Sequence, residues 1–251
     1  MIFEEKMFEM GMESEWGGYK RLDFKLNGRD VILILPKEND PQMRWMLKTE
    51  YFGAFPNFEI AMLERGWHLA YIRNSTRWHN PEDDDAKELL CQCLHEKFGL
   101  NEKCLPVGMS CGGMQGIYFA AKYPERVHAL YIDAPVTNLL SCPCGVGIEG
   151  YNLGMYNEMV KNTDKNLLML LNYRNHPVDK VSALVENKVS VLLVCGDSDR
   201  VVPFNENGKA FYERYKELGG DITLILKEGC DHHPHGLEDP TPIIEFALKH
   251  S

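Results

Sequence analysis

The chain has 251 residues, 44% of them hydrophobic, and a formal net charge of −10. This length and apolar content suffice for the core of one domain, and no linker, repeat or low-complexity tract interrupts the sequence. The acidic balance argues against nucleic acid as a partner, since a phosphate-binding surface needs a cationic patch. We expect a single domain over residues 1–251, with the oligomeric state left open.

The amino terminus and the cysteines indicate the compartment. Acidic residues stand where a secretory signal would have a basic start, and no later segment reaches transmembrane length. Eight cysteines are too few for a disulfide scaffold, and none of the pairs has Cys-x-x-Cys spacing. We expect a cytoplasmic protein with free thiols and no membrane partner, in which Cys142 and Cys144 belong to an ordinary loop.

The first predicted elements form a hairpin. Tyr19–Leu26 alternates apolar and polar residues, Asn27-Gly28 is a strong two-residue turn signal, and residues 31–35 are apolar. Alternating elements follow: a helix over about 57–65, a strand over 68–72 and a helix over about 84–98. Strands that alternate with helices predict a mostly parallel sheet covered on both faces.

The pattern Gly-x-Ser-x-Gly occupies residues 108–112. An apolar segment over 103–107 precedes it, and a helix-forming segment over 114–122 follows it. A strand, a sharp turn and a helix in this order predict that Ser110 is a nucleophile held at the mouth of the sheet. The backbone N–H of Cys111, at the head of the helix, is then the predicted first oxyanion donor.

A serine nucleophile requires an acid and a histidine base, which follow it in that order. A buried-strand pattern over 189–194 leads into a loop with two carboxylates, Asp197 and Asp199. Asp133, which follows the strand predicted over 129–132, is a third candidate. Each of the three is also at a position typical of a carboxylate that accepts hydrogen bonds from loop N–H groups, so only their geometry can identify the triad acid.

Three histidines follow the strand predicted over 222–226, namely His232, His233 and His235, and they compete for the role of the base. Imidazoles are common zinc ligands, and Asp231 is adjacent. The helix-borne pattern His-Glu-x-x-His is absent, however, and a metal would leave Ser110 without a base. We therefore expect no metal and no cofactor.

In these loops the chain resembles the α/β-hydrolase fold serine hydrolases, the esterases and the prolyl-oligopeptidase-like superfamily. The acid loop of that family commonly has the pattern Gly-x-x-Asp-x-x-Val-Pro, and the chain matches it with Gly196, Asp199, Val202 and Pro203. The resemblance implies that Asp199 is the triad acid. Asp197 is then a loop-shaping residue.

The resemblance also selects a base. The family's Gly-x-Gly-His pattern, started at Gly229, ends on His232, with Asp231 in place of the second glycine. The implied triad is Ser110, Asp199 and His232, while His233 and His235 either face the substrate or pack the loop. The segment from His232 onward is similar to a bacterial subgroup associated with carbohydrate metabolism, which favours a small or sugar-linked ester.

A second oxyanion donor is implied in the loop after the strand at residues 31–35. Pro36 has no N–H, so Lys37 is the first candidate and Glu38 the second. The same loop continues through five residues that either line the substrate pocket or belong to a surface loop: Trp45, Lys48, Glu50, Tyr51 and Phe52. Of these, Glu50 is the candidate substrate ligand. The family inserts a lid later, here expected at about 137–188, with helical periodicity over 155–171 and 178–187.

Together these features predict an α/β protein with the α/β-hydrolase fold: a mostly parallel sheet with an antiparallel start, helices on both faces and a small helical lid. The expected activity is hydrolysis of a small-molecule carboxylic ester through an acyl-enzyme. Two alternatives remain, a ligand-binding member of the same fold and a nonhydrolytic lyase that uses the serine or histidine as a base.

Overall fold

The computed structural model describes residues 2–148 and 151–251, and within them nine strands form one sheet. In chain order the strands are β1 (Phe8–Trp16), β2 (Tyr19–Leu26), β3 (Arg29–Leu35), β4 (Trp45–Lys48), β5 (His68–Ile72), β6 (Leu105–Met109), β7 (Ala129–Asp133), β8 (Ser190–Gly196) and β9 (Ile222–Lys227). Their order across the sheet is β1-β2-β3-β5-β4-β6-β7-β8-β9. Strands β1 to β3 are antiparallel to their neighbours, and β4 to β9 run parallel to one another.

Helices cover both faces of the sheet. They are α1 (Asn57–Leu63), α2 (Pro81–Phe98), α3 (Cys111–Lys122), α4 (Leu153–Thr163), α5 (Leu167–Leu170), α6 (Val181–Glu186), α7 (Gly208–Glu217) and α8 (Thr241–Lys249). Apolar residues of α1 and α8 pack in one buried cluster, and those of α2, α3, α6 and α7 pack in another. Neighbouring side chains of a strand point to opposite faces of the sheet, so successive strand residues belong to different clusters. Leu69, for example, packs with α1 and α8, and Ala70 packs in the cluster on the other face.

The predicted hairpin joins β2 to β3. Asn27 and Gly28 have φ of 48° and 78°, as the two central residues of a tight hairpin turn require. Two strands were not predicted from the sequence. Strand β1 alternates apolar and polar residues but is exposed along most of its length, and β4 has only four residues, all buried.

The helical stretch between β7 and β8 differs from its prediction. The periodicity over 155–171 belongs to two helices, because Asp164 adopts φ of 56° and ends α4. None of the helices in the described ranges is long and apolar enough to cross a bilayer.

The parallel strands bring their carboxyl ends to one edge of the sheet. Ser110 follows β6, Asp199 follows β8 and His232 follows β9. In open α/β sheets this is the edge at which ligands bind. The topology therefore collects the three residues from distant parts of the sequence.

Candidate active site

Ser110 stands between β6 and α3 with φ of 54° and ψ of −120°. A non-glycine residue adopts this conformation only where its surroundings enforce it. A side chain at Gly108 would lie 2.3 Å from the carbonyl oxygen of Gly112, and one at Gly113 would lie 2.5 Å from Cβ of Pro135. Gly108 of the motif and Gly113 directly after it thus permit the close packing that holds the serine on its turn.

The side chains of Asp199, His232 and Ser110 form a continuous hydrogen-bonded chain. Asp199 accepts the N–H groups of Val201 and Val202, both at 2.8 Å, through one carboxylate oxygen. Its other oxygen accepts Nδ1–H of His232 at 2.7 Å, and Nε2 of His232 lies 3.1 Å from Oγ of Ser110. All three residues are buried. A carboxylate on Nδ1 leaves Nε2 free to accept the serine proton.

Asp231, which replaces the family's second glycine, ties the histidine loop to the acid loop. Its Oδ1 accepts the N–H of His232 at 2.8 Å and that of Arg200 at 2.9 Å, and its Oδ2 accepts Nε–H of Arg200 at 2.8 Å. These hydrogen bonds hold the pKa of Asp231 below its usual range. The substitution for glycine therefore adds a bridge between the loops.

The other two carboxylates have different partners. Asp133 accepts Nδ1–H of His235 at 2.6 Å and the N–H of Gly236 at 2.8 Å, so it does not contact His232. Asp197 accepts the N–H of Gly229 at 2.8 Å, which is the loop-shaping contact expected of it.

One oxyanion assignment fits the geometry and one is wrong. Cys111 is the first residue of α3, so its N–H has no acceptor within the helix. Lys37 follows β3, which is antiparallel to β5, and therefore lies at the edge of the sheet opposite to Ser110. Its ammonium group instead lies 5.7 Å from the ring centre of Tyr19. The error, which applies equally to Glu38, arose because β4 was not predicted.

The loop after β4 is the one beside the nucleophile, since β4 pairs with β6. Tyr51 in this loop lines the cavity next to Ser110, and its hydroxyl accepts Nη1–H of Arg77 at 3.4 Å. Burial raises the pKa of the Tyr51 phenol, so the phenol keeps its hydrogen. The sequence left open whether Tyr51 lines the pocket or belongs to a surface loop, and it did not indicate an oxyanion donor.

Glu50 does not line the cavity, contrary to its predicted role as a substrate ligand. Its carboxylate accepts Nδ2–H of Asn74 at 2.8 Å and the N–H of Tyr51 at 3.3 Å. Asn74 also donates to the carbonyl of Thr49 at 2.6 Å and accepts Nζ–H of buried Lys87 at 2.7 Å. The charge of Glu50 is therefore used to fix the loop that carries Tyr51.

Ser110 opens into a cavity of about 320 Å³. Its walls include the side chains of Tyr51, Phe55, Arg77, Met155, His233 and His235. His233 stacks on Phe55, with ring centres 5.5 Å apart, and partial burial lowers its pKa. Arg77 forms an ion pair with Glu158 of α4, which fastens that helix beside the cavity. Phe55 and Arg77 were missed, because neither belongs to a motif.

Solved structures of similar fold include peptidases and esterases. An acylaminoacyl peptidase of Pyrococcus horikoshii has a TM-score of 0.61 and 15% identity over 91% of this chain, which spans only 38% of that protein. An S-formylglutathione hydrolase from Agrobacterium tumefaciens has a TM-score of 0.61 and 14% identity, covering 90% of this chain and 92% of its own. Acetyl xylan esterase 1 from a Thermoanaerobacterium species has a TM-score of 0.65 and 13% identity, and the match covers 97% of this chain and 86% of the esterase.

At these identities the structural likeness shows the fold, and it confirms the predicted α/β-hydrolase architecture with its antiparallel start. Residues 45–248 match the prolyl oligopeptidase family, a range that contains Ser110, Asp199 and His232. The protein has the α/β-hydrolase fold and belongs to the prolyl oligopeptidase family.

Proposed function

We propose that the protein hydrolyses a small carboxylic ester through an acyl-enzyme formed on Ser110. The observation that carries the proposal is the contact chain from Asp199 to His232 at 2.7 Å and from His232 to Ser110 at 3.1 Å. These distances fit a nucleophile, a general base and a carboxylate that orients the base.

In the proposed acylation, Oγ of Ser110 attacks the ester carbonyl carbon and passes its proton to Nε2 of His232. Asp199 holds Nδ1–H and stabilises the imidazolium that forms. The tetrahedral intermediate collapses when His232 returns the proton to the leaving alcohol. Water then attacks the acyl group by the same route, which releases the acid and restores Ser110.

The oxyanion of this intermediate needs two donors. The N–H of Cys111 is one, and we assign the phenol O–H of Tyr51 as the other. The N–H of Tyr51 already donates to Glu50, whereas its hydroxyl accepts from Arg77 and so keeps its own hydrogen to donate. Tyr51 lines the same cavity as Ser110, the residue directly before Cys111.

The cavity supports a small substrate. A volume of about 320 Å³ is near the lower end for ligand pockets, which run to roughly 1,000 Å³. His233 and His235 line it and bring ring nitrogens suited to hydrogen bonds with hydroxyl groups. Acetyl xylan esterase 1 is among the proteins of similar fold. We therefore infer an acetyl or similarly short acyl ester of a hydroxylated alcohol such as a sugar.

Intact-mass labelling with a fluorophosphonate tests the nucleophile. We expect one probe per chain in the wild type, none in Ser110→Ala and slow labelling in His232→Ala. Ser198→Ala is the matched control, because it removes an exposed hydroxyl of the acid loop that donates only to Asp197. An unlabelled wild type would remove the acyl-enzyme mechanism and favour a ligand-binding protein or a lyase.

Substrate comparison tests the bond that is cleaved. p-Nitrophenyl acetate and a peracetylated monosaccharide are assayed beside aminoacyl and N-acyl-aminoacyl p-nitroanilides. We expect kcat/KM for the acetyl esters to exceed that for the anilides by at least a hundredfold. Preference for an anilide would instead establish a peptidase, the activity named for the peptidases of similar fold.

A further inference from the structure

Three imidazoles converge at the cavity. The ring centres of His232, His233 and His235 are 4.9, 4.8 and 4.9 Å apart in the three pairs, with planes inclined by 62°, 80° and 88°. One ring nitrogen from each lies within 4.8 Å of those of the other two. The three side chains thus form a nearly equilateral tripod, a shape that mere packing of a loop does not require.

The tripod has dimensions close to those of a three-histidine metal site. Zinc binds imidazole nitrogen at about 2.0–2.1 Å with tetrahedral angles, which places the nitrogens about 3.3 Å apart and the ring centres about 5 Å apart. The ring spacing already matches. The nitrogens lie within 4.8 Å of one another, so metal binding requires them to move closer, and the exposed His233 ring must leave its stacked position on Phe55 to do so.

The hydrogen bonds behind the tripod strengthen this interpretation. His232 donates from Nδ1 to Asp199, and His235 donates from Nδ1 to Asp133, both carboxylates being buried. In zinc proteins a ligating histidine almost always donates its other N–H to a carboxylate or carbonyl, which fixes the ring and raises its basicity. Two of the three imidazoles therefore present Nε2 to the cavity with such support already in place.

We propose that His232, His233 and His235 form a binding site for zinc, and that zinc in this site inhibits the enzyme. The inhibition rests on the proposed function, because the metal occupies the Nε2 lone pair of His232 that accepts the proton of Ser110. Metal binding and acylation are then mutually exclusive. Imidazole ligands favour zinc over magnesium or calcium, which prefer oxygen.

Calorimetric zinc titration of Ser110→Ala tests the site without reference to activity, since this variant keeps all three imidazoles. We expect one zinc ion per chain and no binding of magnesium. In that background, His233→Ala and His235→Gln should each weaken zinc binding at least tenfold, and Asp133→Asn should weaken it by about 10–100-fold. Cys230→Ser is the control for the nearby thiol and should leave the affinity unchanged.

Labelling of the chelator-treated wild type with a fluorophosphonate tests the inhibition. Saturating zinc should slow labelling at least tenfold, EDTA should restore the rate, and magnesium should have no effect. Zinc affinity insensitive to the histidine substitutions would overturn the site. Labelling unaffected by bound zinc, or dependent on it, would overturn the inhibition. A wild type that is never labelled would refute the proposed function, while the calorimetry still decides whether the site exists.

Discussion

The carboxylate of Asp133 accepts Nδ1–H of His235 at 2.6 Å, one strand away from the carboxylate of Asp199, which accepts Nδ1–H of His232 at 2.7 Å. Two aspartate–histidine pairs therefore face one cavity. Only His232 is hydrogen-bonded to Ser110. The two pairs should contribute differently to catalysis, and substitutions that preserve volume can separate their effects.

Asp199→Asn should lower kcat for p-nitrophenyl acetate by about 10³–10⁴-fold, because the amide no longer fixes Nδ1–H of His232 or stabilises its charged form. Asp133→Asn should act mainly on KM, since His235 lines the cavity without contacting Ser110. Steady-state kinetics on both variants, with circular dichroism as a check of folding, measures the difference. An equal loss of kcat in the two variants would assign Asp133 a share in orienting the base.

Tyr51→Phe tests the phenol as an oxyanion donor. We expect kcat to fall by about 10²–10³-fold with little change in KM, because the lost hydrogen bond forms only as negative charge develops on the carbonyl oxygen. Tyr151→Phe, which alters an exposed tyrosine, is the matched control and should keep the wild-type kcat. Full activity of Tyr51→Phe would show that a backbone N–H supplies the second donor.

The bridge between Asp231 and Arg200 gives a third prediction. Asp231→Gly restores the family's glycine but removes the contacts that link the two catalytic loops, so kcat should fall about tenfold through misplacement of His232. Arg200→Ala should have a similar effect, and the double variant should be little worse than either single one. Measuring kcat for the wild type, the two single variants and the double variant completes a double-mutant cycle. Strictly additive losses would mean that the two residues act independently.

The residues proposed to be catalytic could be located from the sequence because strong local patterns precede them. Ser110 follows an apolar segment and lies among glycines, and Asp199 follows β8, the longest buried strand in the second half of the described chain. His232 was chosen among three histidines only through a family resemblance, since spacing alone did not separate it from His233 and His235. The contact with Ser110 at 3.1 Å distinguishes it in the structure.

The proposed second oxyanion donor could not be located, because strand β4 before it has no clear pattern in the sequence. Strand β4 has four residues and ends in Lys48, a residue that normally indicates an exposed position. Its ammonium group is buried against Glu59 of α1, a partner that no local pattern reveals. Without β4, residues 36–56 form one predicted loop after β3, which places the second donor near Lys37, at the wrong edge of the sheet.

The ion pair of Lys48 and Glu59 leads to a prediction on stability. Each side chain is 1% exposed, so removal of one partner leaves a buried charge uncompensated. Lys48→Met should lower the free energy of unfolding by about 3–5 kcal/mol, whereas Lys48→Met with Glu59→Leu should recover most of that loss. Urea unfolding at pH 7 measures both. A double variant less stable than Lys48→Met would show that the charges themselves stabilise the fold.

His68, at the start of β5, should make the protein sensitive to mild acid. Burial lowers the pKa of its imidazole from 6.5 to about 4. Between these two values the unfolded chain binds a proton that the folded chain rejects, so stability falls as the pH decreases through this window. From pH 7 to pH 5 the contribution is about 1–2 kcal/mol.

His68→Leu removes that proton uptake and should reduce the loss of unfolding free energy between pH 7 and pH 5 by about 1–2 kcal/mol, measured by urea unfolding at both values. It should not abolish the loss, because burial also lowers the pKa of His128 to about 4. The comparison concerns the change with pH within each protein, so any packing effect of leucine cancels. An identical decline in wild type and variant would mean that His68 takes up its proton in the folded state.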